Sequence, residues 1–144
     1  MTMPKLLLPV DGSAVSLRMA EALPHRLAGY PRTPEIHLLN VQRPVSHDVG
    51  QFVDKPALQD FHRQQGLEAL AAARAHLEAA GFAPVPHVVI DDQPAQAIVR
   101  FAREQAVDEI VMGSHGHGAV VGLLLGSVAR EVVRLADVPV TLIK

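Results

Sequence analysis

The chain contains no cysteine and no tryptophan, a single tyrosine, and only 3% aromatic residues. Without cysteine there can be no disulfide, no thiolate metal site and no cysteine nucleophile. So few aromatics argue against a stacking platform for single-stranded nucleic acid. An excess of charge is missing too. Lys and Arg total 13 against 15 Asp and Glu, a net charge of −2 with histidine neutral. That balance lacks the basic face that captures a phosphate backbone, so no nucleic-acid partner is expected. Long hydrophobic runs are also absent. The N-terminal run Leu6–Val10 is shorter than the ~7–15 apolar residues of a signal segment or the ~18 of a spanning helix. No membrane partner is expected, and the chain reads as cytoplasmic.

What is present is a core-forming sequence. Of 144 residues, 49% are apolar and 19% charged, against ~25% charged in an ordinary soluble domain. That length predicts one domain over residues 1–144, since a domain typically takes ~100–200 residues. Eight histidines leave imidazole chemistry open.

Short apolar runs at Leu6–Val10, Ile36–Val41, Val85–Ile90, Glu109–Met112 and Val140–Ile143 alternate with longer helical stretches. Most are near-continuously apolar, as strands buried on both faces of a parallel sheet are. Their Pro, Gly, Asp and Asn flanks favour strand over buried helix. Helices are predicted over Ser13–Ala28, Pro56–Ala80, Pro94–Gln105 and Ser127–Leu135. The first presents Leu17, Ala20, Leu23 and Leu27 on one face, with Pro24 expected to kink it. The second offers Leu58, Phe61, Leu70 and Leu77 as core contacts. Strict alternation of this kind implies an α/β fold, an open parallel sheet with helices on both faces. Gln42–Lys55 has no periodicity and reads as a long irregular loop.

The chemistry concentrates between the fourth strand and the last helix, in Val111-Met-Gly-Ser-His-Gly-His-Gly-Ala-Val-Val-Gly-Leu-Leu-Leu-Gly-Ser-Val128. A strand, a glycine-rich turn and a helix start together form an anion site, because the first amides of a helix are unpaired and carry partial positive charge. Ligands of open parallel sheets bind beyond the carboxyl ends of the strands, where Asp11 and Gly113 fall. The common phosphate motifs fail here. Gly113 and Gly118 have Walker A spacing, but Ala119 stands in place of the lysine. Gly116 and Gly118 begin a dinucleotide fingerprint, but Val121 replaces its third glycine. No nucleophile elbow and no His-Glu-x-x-His motif occurs.

What remains is Gly113-x2-Gly116-x9-Gly126-Ser127. It resembles the nucleotide loop of the universal stress protein family, in its ATP-binding branch. The resemblance extends to Leu6–Ser13, to Leu38-Leu39-Asn40-Val41, to Gln93–Ile98 and to Val138–Ile143, and so covers nearly the whole chain. It implies a Rossmann-like five-stranded parallel sheet and an ATP-binding protein with a regulatory or stress-response role, working through nucleotide-dependent conformation or partner binding. It places the adenosine end at Asp11 and Val41, with Pro9 and Val10 alongside. The ribose and phosphates fall to Gly113, Gly116, Gly126, Ser127 and Val128, with Mg²⁺ as an optional companion of ATP, and Met112, His115 and His117 of the same segment complete the candidate site. It also implies a homodimer through the last strand, Val140–Ile143. The sequence departs from the family pattern at His117, where Arg or Lys is frequent, and at Asn40, where His is common. Alternatives are a slow ATPase, for which no catalytic base stands out, and a nucleotide-free interaction scaffold.

Other polar features read more plainly. The His115-x-His117 pair lacks a third metal ligand nearby, so no metal site is expected. His47 and His62 read as surface residues, and Asp91-Asp92 as the cap of the following helix rather than a Mg²⁺ site.

Overall fold

The computed structural model describes residues 3–114 and 125–144. The chain runs β1 (Lys5–Pro9), α1 (Ala14–Leu27), β2 (Glu35–Gln42), α2 (His47–Gly50), α3 (Lys55–Ala79), β3 (Val85–Ile90), α4 (Pro94–Glu104), β4 (Glu109–Gly113), α5 (Ser127–Leu135) and β5 (Val140–Ile143). The strands form one sheet in the order β3-β2-β1-β4-β5, and every pairing is parallel. This is the open α/β arrangement the alternation implied.

Side-chain alternation along the strands builds two cores. Leu6 and Leu8 of β1, with Val10 just beyond it, pack with Ile36 and Leu38 of β2 under α1 and α3. Leu7, Leu39, Ile110 and Met112 face the other way, under α4 and α5. Helix α1 buries Met19, Ala20, Leu23 and Leu27. It continues past Pro24, whose carbonyl accepts the closing bond from Ala28 N–H.

Two sequence expectations change. The Gln42–Lys55 stretch holds the short helix α2, started by Ser46, whose hydroxyl accepts from Val49 N–H. On α3 the buried stripe is His62, Gly66, Leu70, Ala73 and Leu77, and Phe61 is 48% exposed. The reason is rotational. Nine residues separate Phe61 from Leu70, which at ~3.6 residues per turn carries Phe61 about half a turn round the helix.

Strand order fixes where a ligand can sit. From β1 the chain moves outward through β2 and β3, then returns to the opposite side of β1 as β4. The direction reverses between β1 and β4, and crevices open at such switch points beyond the strands' carboxyl ends.

Candidate functional site

At the carboxyl end of β1, Val10 leads into Asp11-Gly12-Ser13. Gly12 adopts φ +84°, a left-handed conformation that costs glycine little. The turn brings Asp11 Oδ1 within 2.9 Å of Ser13 N–H, which donates to it. Ser13 in turn caps α1, its hydroxyl accepting from Ser16 N–H at 3.2 Å. Asp11 remains exposed on the surface of the switch point.

At the carboxyl end of β4, Gly113 pairs with Ile143 of β5. Ser114 continues the line, its N–H donating to Ile143 C=O at 2.9 Å and its own C=O accepting from Gly126 N–H at 2.7 Å. The second bond returns the chain to the end of β4 and sets the start of α5 there. Gly126 is the N-cap of α5 and no side chain caps it. The first-turn amides that follow, Ser127 to Ala129, have no intrahelical acceptor, and Ser127 is exposed. These amides and the helix dipole suit an anion. Gly126's own amide is committed to Ser114, so it anchors the turn rather than donating to a ligand.

Register aligns the two ends. Leu7 is level with Ile110, and the same register carried onward sets Val10 level with Gly113. Likewise Pro9 pairs with Leu39, which sets Val10 level with Asn40. Val10 N–H donates to Leu39 C=O and Asp91 N–H donates to Gln42 C=O, so these two β2 carbonyls face opposite neighbours. By the alternation of a parallel strand, Val41's backbone groups share the β1 side with Leu39. They lie beyond the last paired residue of β1.

The candidate residues therefore divide. Asp11, Gly113, Ser127 and the Val41 backbone gather around the switch point. Pro9, Val10 and Met112 are buried, Val10 and Met112 in opposite cores, so only their backbones can address a ligand. Val41 and Val128 are half-buried against the α4–α5 side. His115, Gly116 and His117 lie outside the described residues.

One group of functional interest escaped the sequence reading. His62 is buried, with 4% of its surface exposed, and not a surface residue. Its Nδ1 lies 3.3 Å from Gln42 Oε1, because α3 turns that position towards the sheet. The only available signal was its spacing of four and eight from Gly66 and Leu70. Asp91 behaves as a turn residue, Oδ1 accepting from Gln93 N–H at 2.8 Å and Oδ2 paired with Arg100 at 2.6 Å. The Arg100 guanidinium is the main reason its carboxyl is held below the usual range. Among the described residues, no helix is long and apolar enough to cross a membrane.

Comparison with known proteins addresses the whole chain. The universal stress protein family model matches residues 3–144. The universal stress protein MJ0531 of Methanocaldococcus jannaschii is 33% identical over 147 residues, covering 97% of this chain and 81% of that protein. The solved structure of MJ0577, from the same organism, aligns with a TM-score of 0.82 at 26% identity over 100% of this chain and 97% of that one. An Arabidopsis thaliana family member solved with AMP bound aligns with a TM-score of 0.69 at 21% identity, over 98% of this chain and 91% of that one. Two further solved universal stress proteins, one in complex with cAMP and one from Archaeoglobus fulgidus in complex with dAMP, are each 23% identical, with TM-scores of 0.73 and 0.66. Some curated relatives are longer: the chain spans 43% of Mycobacterium tuberculosis Rv2623.

Proposed function

The chain belongs to the universal stress protein family, and from that membership we propose that it binds adenine nucleotide, ATP in particular, at the β1–β4 switch point. Residues 1–144 act as one nucleotide-binding domain in this reading. One observation carries it: the Gly126–Ser114 hydrogen bond sets an uncapped helix N-terminus at the end of β4, level with the turn that presents Asp11. A helix end with partial positive charge beside an acidic turn suits a ligand with a polyphosphate at one end and hydroxyls at the other.

The roles follow from the chemistry. The Ser127 and Val128 amides, with the Ser127 hydroxyl, donate to phosphate oxygens, aided by Gly116 and by His115 and His117. Gly113 lets the ligand approach the backbone closely. Asp11 can accept from ribose hydroxyls, and Val41 offers one backbone donor and one acceptor to the adenine edge. Mg²⁺ enters as the counterion of ATP. Solved neighbours that hold AMP, dAMP and cAMP support the adenine class.

The biological output in this reading is a change of conformation or partner in a stress response, in the cytoplasm, without rapid turnover of the nucleotide. The protein works as a homodimer built on β5, a sheet-edge strand whose residues Val140–Ile143 are all only half-buried. An edge of this kind invites pairing with a second chain.

Mass spectrometry of the small molecule released when the purified protein is denatured tests the reading. An adenine nucleotide in stoichiometric amount is expected. A protein that releases none, and takes up none when supplied, contradicts it.

A further inference from the structure

Where β1 ends, a line of side-chain hydrogen bonds runs from the backbone into the α3 side of the sheet. Asn40 Nδ2 donates to Val10 C=O at 2.9 Å. Gln42 Nε2 donates to Asn40 Oδ1 at 2.7 Å. His62 Nδ1 meets Gln42 Oε1 at 3.3 Å. Asn40 and His62 are each only 4% exposed.

The line has one direction. A backbone carbonyl can only accept, so Asn40 must turn its amide nitrogen to Val10. Its oxygen then faces Gln42, which must donate. The Gln42 oxygen then faces His62, which must carry a proton on Nδ1. A single acceptor at the switch point fixes the orientation of two amides and the protonated nitrogen of a ring.

The line also decides where the β1–β2 ladder stops. In a parallel pair, the bond from Val10 N–H to Leu39 C=O is ordinarily followed by one from Val41 N–H to Val10 C=O. Here the pairing ends at Pro9 and Leu39, and the Val10 carbonyl is taken by the Asn40 side chain. The strand end is thus finished by a side chain rather than by the backbone of Val41.

We propose that Asn40, Gln42 and His62 are positioning residues for the adenine end of the site: they hold the Val10 carbonyl, end the ladder one residue early, and so leave the Val41 backbone facing the base. This rests on the nucleotide reading above. None of the three touches the ligand. His62 acts through Gln42, Gln42 through Asn40, and Asn40 through Val10.

The test uses the full chain with two probes, Mg·ATP and inorganic tripolyphosphate, which lacks the adenine. His62→Leu removes the donor that ends the line. His62→Asn keeps a donor nitrogen close to the place of Nδ1. Loss of one buried hydrogen bond should weaken ATP binding about three- to tenfold in His62→Leu. His62→Asn should restore it to within about twofold, and tripolyphosphate affinity should be the same in all three proteins. Nitrogen-15 NMR of the nucleotide-free parent should show His62 protonated at Nδ1. Should His62→Leu not fold, Gln42→Met cuts the same line at a half-buried position. Unchanged ATP affinity in folded His62→Leu or Gln42→Met, equal losses for both probes, or a neutral His62 protonated at Nε2 alone would overturn the proposal and leave the nucleotide reading intact. A parent that binds neither probe overturns both.

Discussion

His37 Nδ1 lies 2.8 Å from His87 Nε2, and the two rings stack with centroids 5.1 Å apart. His37 Nε2 lies 2.8 Å from Glu35 Oε1, and His87 also meets the Phe101 ring of α4, at 4.8 Å between centroids. With Glu35 ionised, His37 donates to it. The bond between the rings needs one donor and one acceptor, so a single proton lies between the two facing nitrogens. Burial is the main reason the His87 pKa lies below its ordinary 6.5, and the charge of His37 adds to it. The sign follows. An unfolded chain protonates this imidazole near pH 6.5, while the folded chain resists until lower pH. The unfolded state therefore binds more protons, and stability falls as pH drops below about 6.5. Thermal melts between pH 7.5 and 5.5 should show a steeper loss of Tm in the parent than in His87→Gln, which keeps a donor to His37 and does not titrate. Identical slopes would remove His87 as the cause.

Gly66 of α3 sits against β3 so closely that a Cβ there would stand 2.5 Å from Val88 Cγ1 and 2.6 Å from Cγ2. Alanine is a better helix former than glycine by ~1 kcal/mol, yet Gly66→Ala should destabilise the protein by about 1–3 kcal/mol through overpacking. Val88→Ala in the same chain should recover much of that loss, since residues in contact couple. Denaturant melts of the two single variants and the double variant measure it. Simple additivity would show that the helix and strand move apart freely.

The half-buried edge strand β5 bears on assembly. Light scattering at micromolar concentration should give twice 15.5 kDa for the parent. It should give the single mass for Leu142→Asp, which sets a charge in the middle of the edge. A parent that is monomeric at that concentration contradicts the β5 dimer.

Much of the fold was legible because each strand is a short apolar run between turn residues. Val85–Ile90, Val140–Ile143 and the α5 bounds Ser127–Leu135 agree with the structure residue for residue. Ser13 and Ala28 sit at the caps of α1 rather than within it, Ser13 through its hydroxyl, which accepts from Ser16 N–H, and Ala28 through its own N–H, which donates to Pro24 C=O. The opening Asp11-Gly12-Ser13 turn was legible because Gly12 takes a left-handed conformation, φ +84°, whereas Gly113 and Gly126 hold ordinary extended backbone. The Asn40–Gln42–His62 line was not legible, because it joins residues far apart in the chain through side-chain orientation that only tertiary packing sets. The same holds for His37 and His87, polar residues in strands whose pairing depends on the β2–β3 register. Phe61 misled because its size suggested burial and its helical phase opposed it.

The most direct test of nucleotide binding at the start of α5 is calorimetric titration of Mg·ATP into the nucleotide-free parent and into Ser127→Asp. Ser127 is exposed in the first turn of α5, where a carboxylate interacts favourably with the helix dipole by about 0.3–1 kcal/mol. The variant should therefore melt no lower than the parent. The same carboxylate occupies the place assigned to the phosphates and should weaken ATP binding by about tenfold or more, a cost of at least ~1.4 kcal/mol. A folded Ser127→Asp protein that binds ATP as tightly as the parent would contradict the account.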